Sequence, residues 1–182
     1  MNTLIVYSSL TGNTEKVAGA IQGAIEGSTL CKVGEAPDAE GFELVVVGFW
    51  VDRGEPDAKT KAFLEKVKNK KTAFFFTLGA YPHSEHADDV ARVTGELLAG
   101  NGNTVLGSYR CQGKVDPVLL ERMKKMLPPD HPHAQMTDER KARLEEAARH
   151  PNEDDCRDAA AFAAETLKKA LEPGGSERTG PS

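Results

Sequence analysis

The chain has 182 residues, a length that suits one domain, and 39% of them are apolar, enough for a buried core. Its formal net charge of −5 argues against a surface built around nucleic-acid phosphates and favours small molecules or a basic protein partner. Three scattered cysteines, no apolar run of spanning length and no signal-peptide pattern exclude a disulfide framework, a zinc-type Cys pair and a membrane span, and predict a cytoplasmic protein.

Residues 3–7, TLIVY, form a short β-branched apolar run bounded by turn-formers, which predicts a buried strand. From residue 14 to 26 the spacing becomes helical, with Val17, Ile21 and Ile25 on one face. Gly19, Gly23 and Gly27 recur every four residues, which predicts close packing of that helix on a sheet. Strands follow at 29–33 and 42–50, then a loop, VDRGEPD. A helix over about 58–68 should turn Ala62, Phe63 and Val67 inward. TAFFFTLG (72–79) is another apolar strand, and Ser84 caps a helix that carries Val90, Val93, Leu97 and Leu98 and ends near Gly100.

NTVLGSYRC (103–111) predicts a fifth strand. Asp116-Pro117 opens a helix to about Leu127, Thr137 caps another to about His150, and Asn152 starts the last. That last helix should bury Ala159, Phe162, Ala163, Thr166, Leu167 and Ala170. Five alternations of strand and helix, with central strands apolar on both faces, predict a parallel sheet covered by helices on both sides. The expectation is an α/β domain over 1–172, with an extra helical region at 117–150 and a disordered tail at 173–182.

The stretch SSLTGNT, residues 8–14, joins the first strand to the first helix. A ligand of a parallel sheet sits beyond the carboxyl ends of the strands. There the unpaired N–H groups and dipole of a helix N-terminus favour an anion. Ser9, Thr11 and Thr14 offer hydroxyls, Asn13 offers an amide, and Gly12 allows close backbone approach. No lysine or arginine lies between Ser8 and Thr14, so neutral donors would hold the anion. A Walker-type phosphate loop is absent, and GNGNTVLG (100–107) precedes a strand where a dinucleotide fingerprint must follow one.

Ser9-Leu10-Thr11-Gly12-Asn13-Thr14 resembles the [ST]-x-T-G-x-T phosphate loop of flavodoxins. The resemblance covers residues 2 to about 111 and the closing helix. It implies a flavodoxin-like three-layer sandwich, a five-stranded parallel sheet of order 2-1-3-4-5, with extra C-terminal helices. It also implies the cofactor FMN, its phosphate held by the loop from Ser8 to Thr14. The flavin ring would lie between the loops after the third and fourth strands, GFWVDRGEPD and TLGAYPHSEH. That placement implies ring contacts from Phe49, Trp50, Val51, Thr77, Leu78, Gly79 and Tyr81, with Trp50 and Tyr81 as the stacking aromatics. The combination of GFWVD, TLGAYP and CQGKVDP is similar to a bacterial flavodoxin-like group whose members accompany bilirubin reductase.

The resemblance implies an electron carrier between redox partner proteins, namely a flavin or iron–sulfur reductase and an acceptor oxidoreductase. Such a carrier needs no catalytic side chain of its own. Asp52, Glu55, Asp57, Glu85, Asp88 and Asp89 stand on or beside the ring loops and could steer a basic partner. Two other readings compete: an FMN-dependent NAD(P)H oxidoreductase acting on a quinone or other small acceptor, and a flavin-free interaction domain. Cys111 is expected to be a packed thiol on the cofactor rim, and His83, His86, His131 and His133 to be surface histidines.

Overall fold

The computed structural model describes residues 1–132 and 134–173; the tail beyond 173 and His133 lie outside the described residues. The strands are β1 (Thr3–Tyr7), β2 (Thr29–Lys32), β3 (Leu44–Asp52), β4 (Glu55–Pro56), β5 (Lys71–Leu78) and β6 (Thr104–Gln112). Five of them run parallel in the order β2-β1-β3-β5-β6, which is the 2-1-3-4-5 order expected once the short β4 is set aside. β4 is an addition to the expected loop. It folds back antiparallel on the end of β3, pairing Val51 with Pro56 and Asp52 with Glu55. Arg53 (φ 52°) and Gly54 (φ 84°) both take left-handed backbone, the geometry that closes a two-residue hairpin. An arginine in the first of those positions hides the turn from a sequence search for Asn-Gly or Asp-Gly.

The helices are α1 (Asn13–Ala24), α2 (Ala58–Leu64), α3 (Glu85–Gly100), α4 (Pro117–Met126), α5 (Asp138–Ala147) and α6 (Glu153–Leu171). Alternate residues of the strands feed two cores. Ile5, Leu44, Val46, Ala73 and Phe75 face α1 and α6, meeting Val17, Ile21, Ala159 and Ala163. Leu4, Val6, Val45, Val47, Phe49, Phe74 and Phe76 face α2 and α3, meeting Leu64, Val90 and Leu98. This period-2 division explains why the central strands read as unbroken apolar runs: both faces are covered.

Two expectations fail here. Helix α2 is shorter than its pattern suggested and buries Thr60 and Leu64, with Val67 following, while Ala62 is exposed. The Asp57 cap, whose carboxylate accepts the Thr60 N–H, sets that rotation. The α1 glycines do not mediate close packing. Gly19 and Gly23 are exposed, with nothing within 4 Å of a Cβ placed on either, and Gly27 lies past the helix end.

The C-terminal helices close on β6 through a polar corner. His150 bridges Asp155 (Nδ1 to Oδ2, 2.6 Å) and Glu146 (Nε2 to Oε1, 3.2 Å). Asp155 also accepts the Asn152 N–H in the capping box of α6, and the Tyr109 hydroxyl donates to the Asp155 carbonyl at 2.8 Å. Burial pulls the His150 pKa down, but the hydrogen bonds and charges of Asp155 and Glu146 outweigh it and raise the value above 6.5. A raised folded-state pKa stabilises fully below the unfolded value and is lost as pH climbs through the folded one. Thermal stability should therefore decline from about pH 6.5 upward through the raised histidine value, and His150→Gln should flatten that decline. Melting curves across this range check it; identical slopes for both proteins would count against the corner as the source.

Candidate functional site

The carboxyl ends of β1, β3, β5 and β6 surround one cleft. Its walls are Leu10, Thr11 and Asn13 from the first loop, Trp50 and Val51 from β3, Thr77 to Gly79 from β5, and Gly113 to Asp116 with Leu119 beyond β6. The enclosed part measures about 90 Å³, well below a whole-ligand pocket of ~300 Å³ or more. It can hold one end of an elongated ligand, with the remainder lying along the rim. Leu10 and Tyr81 stand exposed on that side of the molecule, at 56% and 42%.

The loop's conformation follows from its residues. Gly12 sits at φ 92° as the N-cap of α1, a left-handed conformation that costs other residues energy. Having no side chain, Gly12 cannot cap the helix. The other five described α-helices are each capped by a side chain: Asp57, Ser84, Asp116, Thr137 and Asn152. The first helical bond of α1 runs from the Lys16 N–H to the Gly12 carbonyl at 3.0 Å. The N–H groups of Asn13, Thr14 and Glu15 therefore remain outside the helical ladder. A helix N-terminus that lacks its own cap, beside a cleft, is prepared for an external anion.

The loop hydroxyls divide into two kinds. Ser9 Oγ accepts from the Gly12 N–H at 3.1 Å, and Thr11 Oγ1 accepts from Asn13 Nδ2 at 3.2 Å. Each keeps its own O–H proton to donate. Thr14 is different. It is buried, and its hydroxyl is paired with that of Thr77 at 2.8 Å, which ties α1 to β5. Tyr7 donates to Glu15 at 2.6 Å, and burial together with that carboxylate pushes its pKa to about 12. The only carboxylate in the first turn of α1 is thereby anchored.

The structure sorts the other ring-contact candidates. Trp50 and Val51 are half-buried in the cleft wall, with Thr77, Leu78 and Gly79 opposite. Phe49 does not join them. It is fully buried, stacked on Phe76 at 5.3 Å between ring centroids, because adjacent strand residues point to opposite faces. Ser8 is held by its N–H to the Gly48 carbonyl at 2.9 Å, and Tyr81 lies outside the enclosed cleft, its carbonyl accepting from Ser84 Oγ. Cys111 is buried, and burial and the Asp155 charge push its thiol to about 12, as a packed thiol should behave.

The wall beyond β6 was missed by sequence reasoning. Its signal was available: CQGKVDP follows the carboxyl end of a strand, where ligands of such sheets sit. Gly79 and Gly113 let this segment close on the cleft. A Cβ on Gly79 would come within 2.5 Å of Val115, and one on Gly113 within 2.7 Å of Asn13 Nδ2. Gln112, 3% exposed at the end of β6, holds a buried Nε2 with no hydrogen-bond partner among the described residues. Most of the carboxylates proposed to steer a partner are engaged: Glu55 with Lys61, Asp88 with Arg110, Asp89 with Arg92, and Asp57 in its cap.

Comparison with known proteins bears on the family and the fold. The flavodoxin domain family matches residues 4–164. The chain is 35% identical over 177 residues to the flavodoxin-like domain-containing protein BilS of Clostridioides difficile (strain CD3), covering 93% of this chain and 98% of the relative. It shares its fold with oxidised flavodoxin 1 from Bacillus cereus, at 16% identity and TM-score 0.60 over 92% of this chain and 98% of that one. A flavoprotein in complex with FMN from Lactobacillus acidophilus NCFM superposes with TM-score 0.50 at 22% identity, over 60% of this chain and 92% of that one. No described helix is long and apolar enough to cross a membrane. The fold, the matched family profile and the relative that spans nearly the whole chain together place this protein in the flavodoxin domain family.

Proposed function

We propose that the chain binds FMN in this cleft and carries electrons between two redox partner proteins, a reductase upstream and an acceptor oxidoreductase downstream. The observation that carries the reading is the uncapped N-terminus of α1, set within the same cleft system as Trp50. The Ser9 and Thr11 hydroxyls and the N–H groups of Asn13, Thr14 and Glu15 would hold the phosphate. Trp50, Val51 and Leu78 would exclude water from one end of the ring. Bound FMN supplies the electron chemistry, and the chain supplies orientation and electrostatics.

Fluorescence titration of flavin-free protein with FMN and with riboflavin tests the binding half. Thr11→Val removes one hydrogen bond to a charged group, about 1.5 kcal/mol, so FMN affinity should fall roughly 10-fold while riboflavin affinity moves less than about twofold. Equal losses for both flavins would remove the phosphate assignment. NADPH added alone tests the carrier half: a carrier's flavin should stay oxidised, whereas prompt bleaching would mean a stand-alone oxidoreductase.

A further inference from the structure

We propose that Lys114 is the counter-charge for the cofactor phosphate, held at the cleft by a strap that the C-terminal helices anchor. The inference rests on the FMN reading above. Residues 8–14 contain no cation, and the phosphate loop by itself offers only dipoles and neutral donors. The strap Gly113–Asp116 brings one. The Gly113 N–H donates to the Leu78 carbonyl at 2.9 Å, and the Lys114 N–H donates to the His150 carbonyl at 3.0 Å. In turn the Lys114 carbonyl accepts from Asn13 Nδ2 at 2.9 Å. Lys114 is thus bonded through its own backbone to the first residue of α1 and to the corner that joins α5 to α6.

The charges around it make the assignment specific. Among the described residues only two charged ones line the cleft, Lys114 and Asp116. Asp116 caps α4, accepting from the Val118 N–H at 2.8 Å. The Lys114 side chain is exposed, and its ammonium has no hydrogen-bond or ion-pair partner among the described residues. Lys16, the cation within α1, is already used: its ammonium donates to the Pro151 carbonyl at 2.7 Å. A phosphate at the α1 N-terminus would therefore meet one uncommitted cation. A lysine on its flexible stem serves that purpose as a mobile point charge. The arrangement also gives the C-terminal helices a role in binding, since the His150 carbonyl fixes the strap.

The test is Lys114→Gln, with Lys114→Arg as the charge-keeping control, each titrated with FMN and riboflavin at low and high sodium chloride. The Gln variant should bind FMN about 5- to 10-fold more weakly at low salt, with riboflavin changed less than about twofold, and its FMN affinity should depend less on salt than the parent's. The Arg variant should stay within about threefold of the parent. Equal losses for both flavins, or an unchanged salt dependence, would overturn the proposal while leaving FMN binding intact. Failure of the parent protein to bind FMN would overturn both readings, so the two failures are distinguishable.

Discussion

Replacing Gly48 by alanine should destabilise the protein by about 3 kcal/mol, at the upper end for an inserted methyl group in a packed core. Gly48 lies in the middle of β3, paired with Tyr7 of β1 and Phe75 of β5. A Cβ there would overlap the Phe75 ring, which is fully buried and has no room to retreat. The ring occupies the space that the missing side chain leaves. For a chain of this size the melting temperature should drop by roughly 6–12 °C. Adding Phe75→Leu to Gly48→Ala separates the steric cause from a general dislike of alanine at this site. If the clash is the cause, the double variant is more stable than the sum of the single losses predicts. A strictly additive result would discard it.

Trp50→Ala should weaken FMN and riboflavin alike by roughly 30-fold, about 2 kcal/mol, the value of an aromatic stack plus the apolar area it shields. Trp50 is the only tryptophan in the chain and stands half-buried in the cleft wall, at the end of a strand whose preceding residue, Phe49, belongs to the core. The equal loss is what distinguishes it from Thr11 and Lys114, which should act on the phosphate alone. Trp50→Phe should recover most of the affinity. Melting curves of both variants are needed alongside the titrations, since a half-buried indole also packs. Retention of parental affinity for both flavins by the alanine variant would make Trp50 a packing residue only.

The layers and both cores were legible in the chain because apolar runs such as LVVVGFW and TAFFFTL have no stable place except inside a parallel sheet covered on both faces, whereas the strand order came only from the flavodoxin resemblance of the first loop. The helix caps at Ser84, Asp116, Thr137 and Asn152 were legible for a similar reason: each acts over two or three residues, and the sequence contains that whole interaction. The phosphate loop was legible as a composition of donors. Its internal division was not, because the pairing of Thr14 with Thr77 joins residues 63 positions apart.

What local pattern determined, then, was the set of elements, the layers and the end of the sheet where a ligand belongs. Only the tertiary structure decided which side chains reach that ligand. It put Phe49 in the core and Trp50 in the wall through the two-residue period of β3. It exposed the α1 glycines, whose spacing had suggested packing. It brought Lys114 next to Asn13, 101 residues away in sequence, through the closure of a strap that two glycines permit and a distant carbonyl holds. Periodicity records which face of an element is buried, but contacts between loops depend on where the sheet places their ends, and no local pattern carries that information.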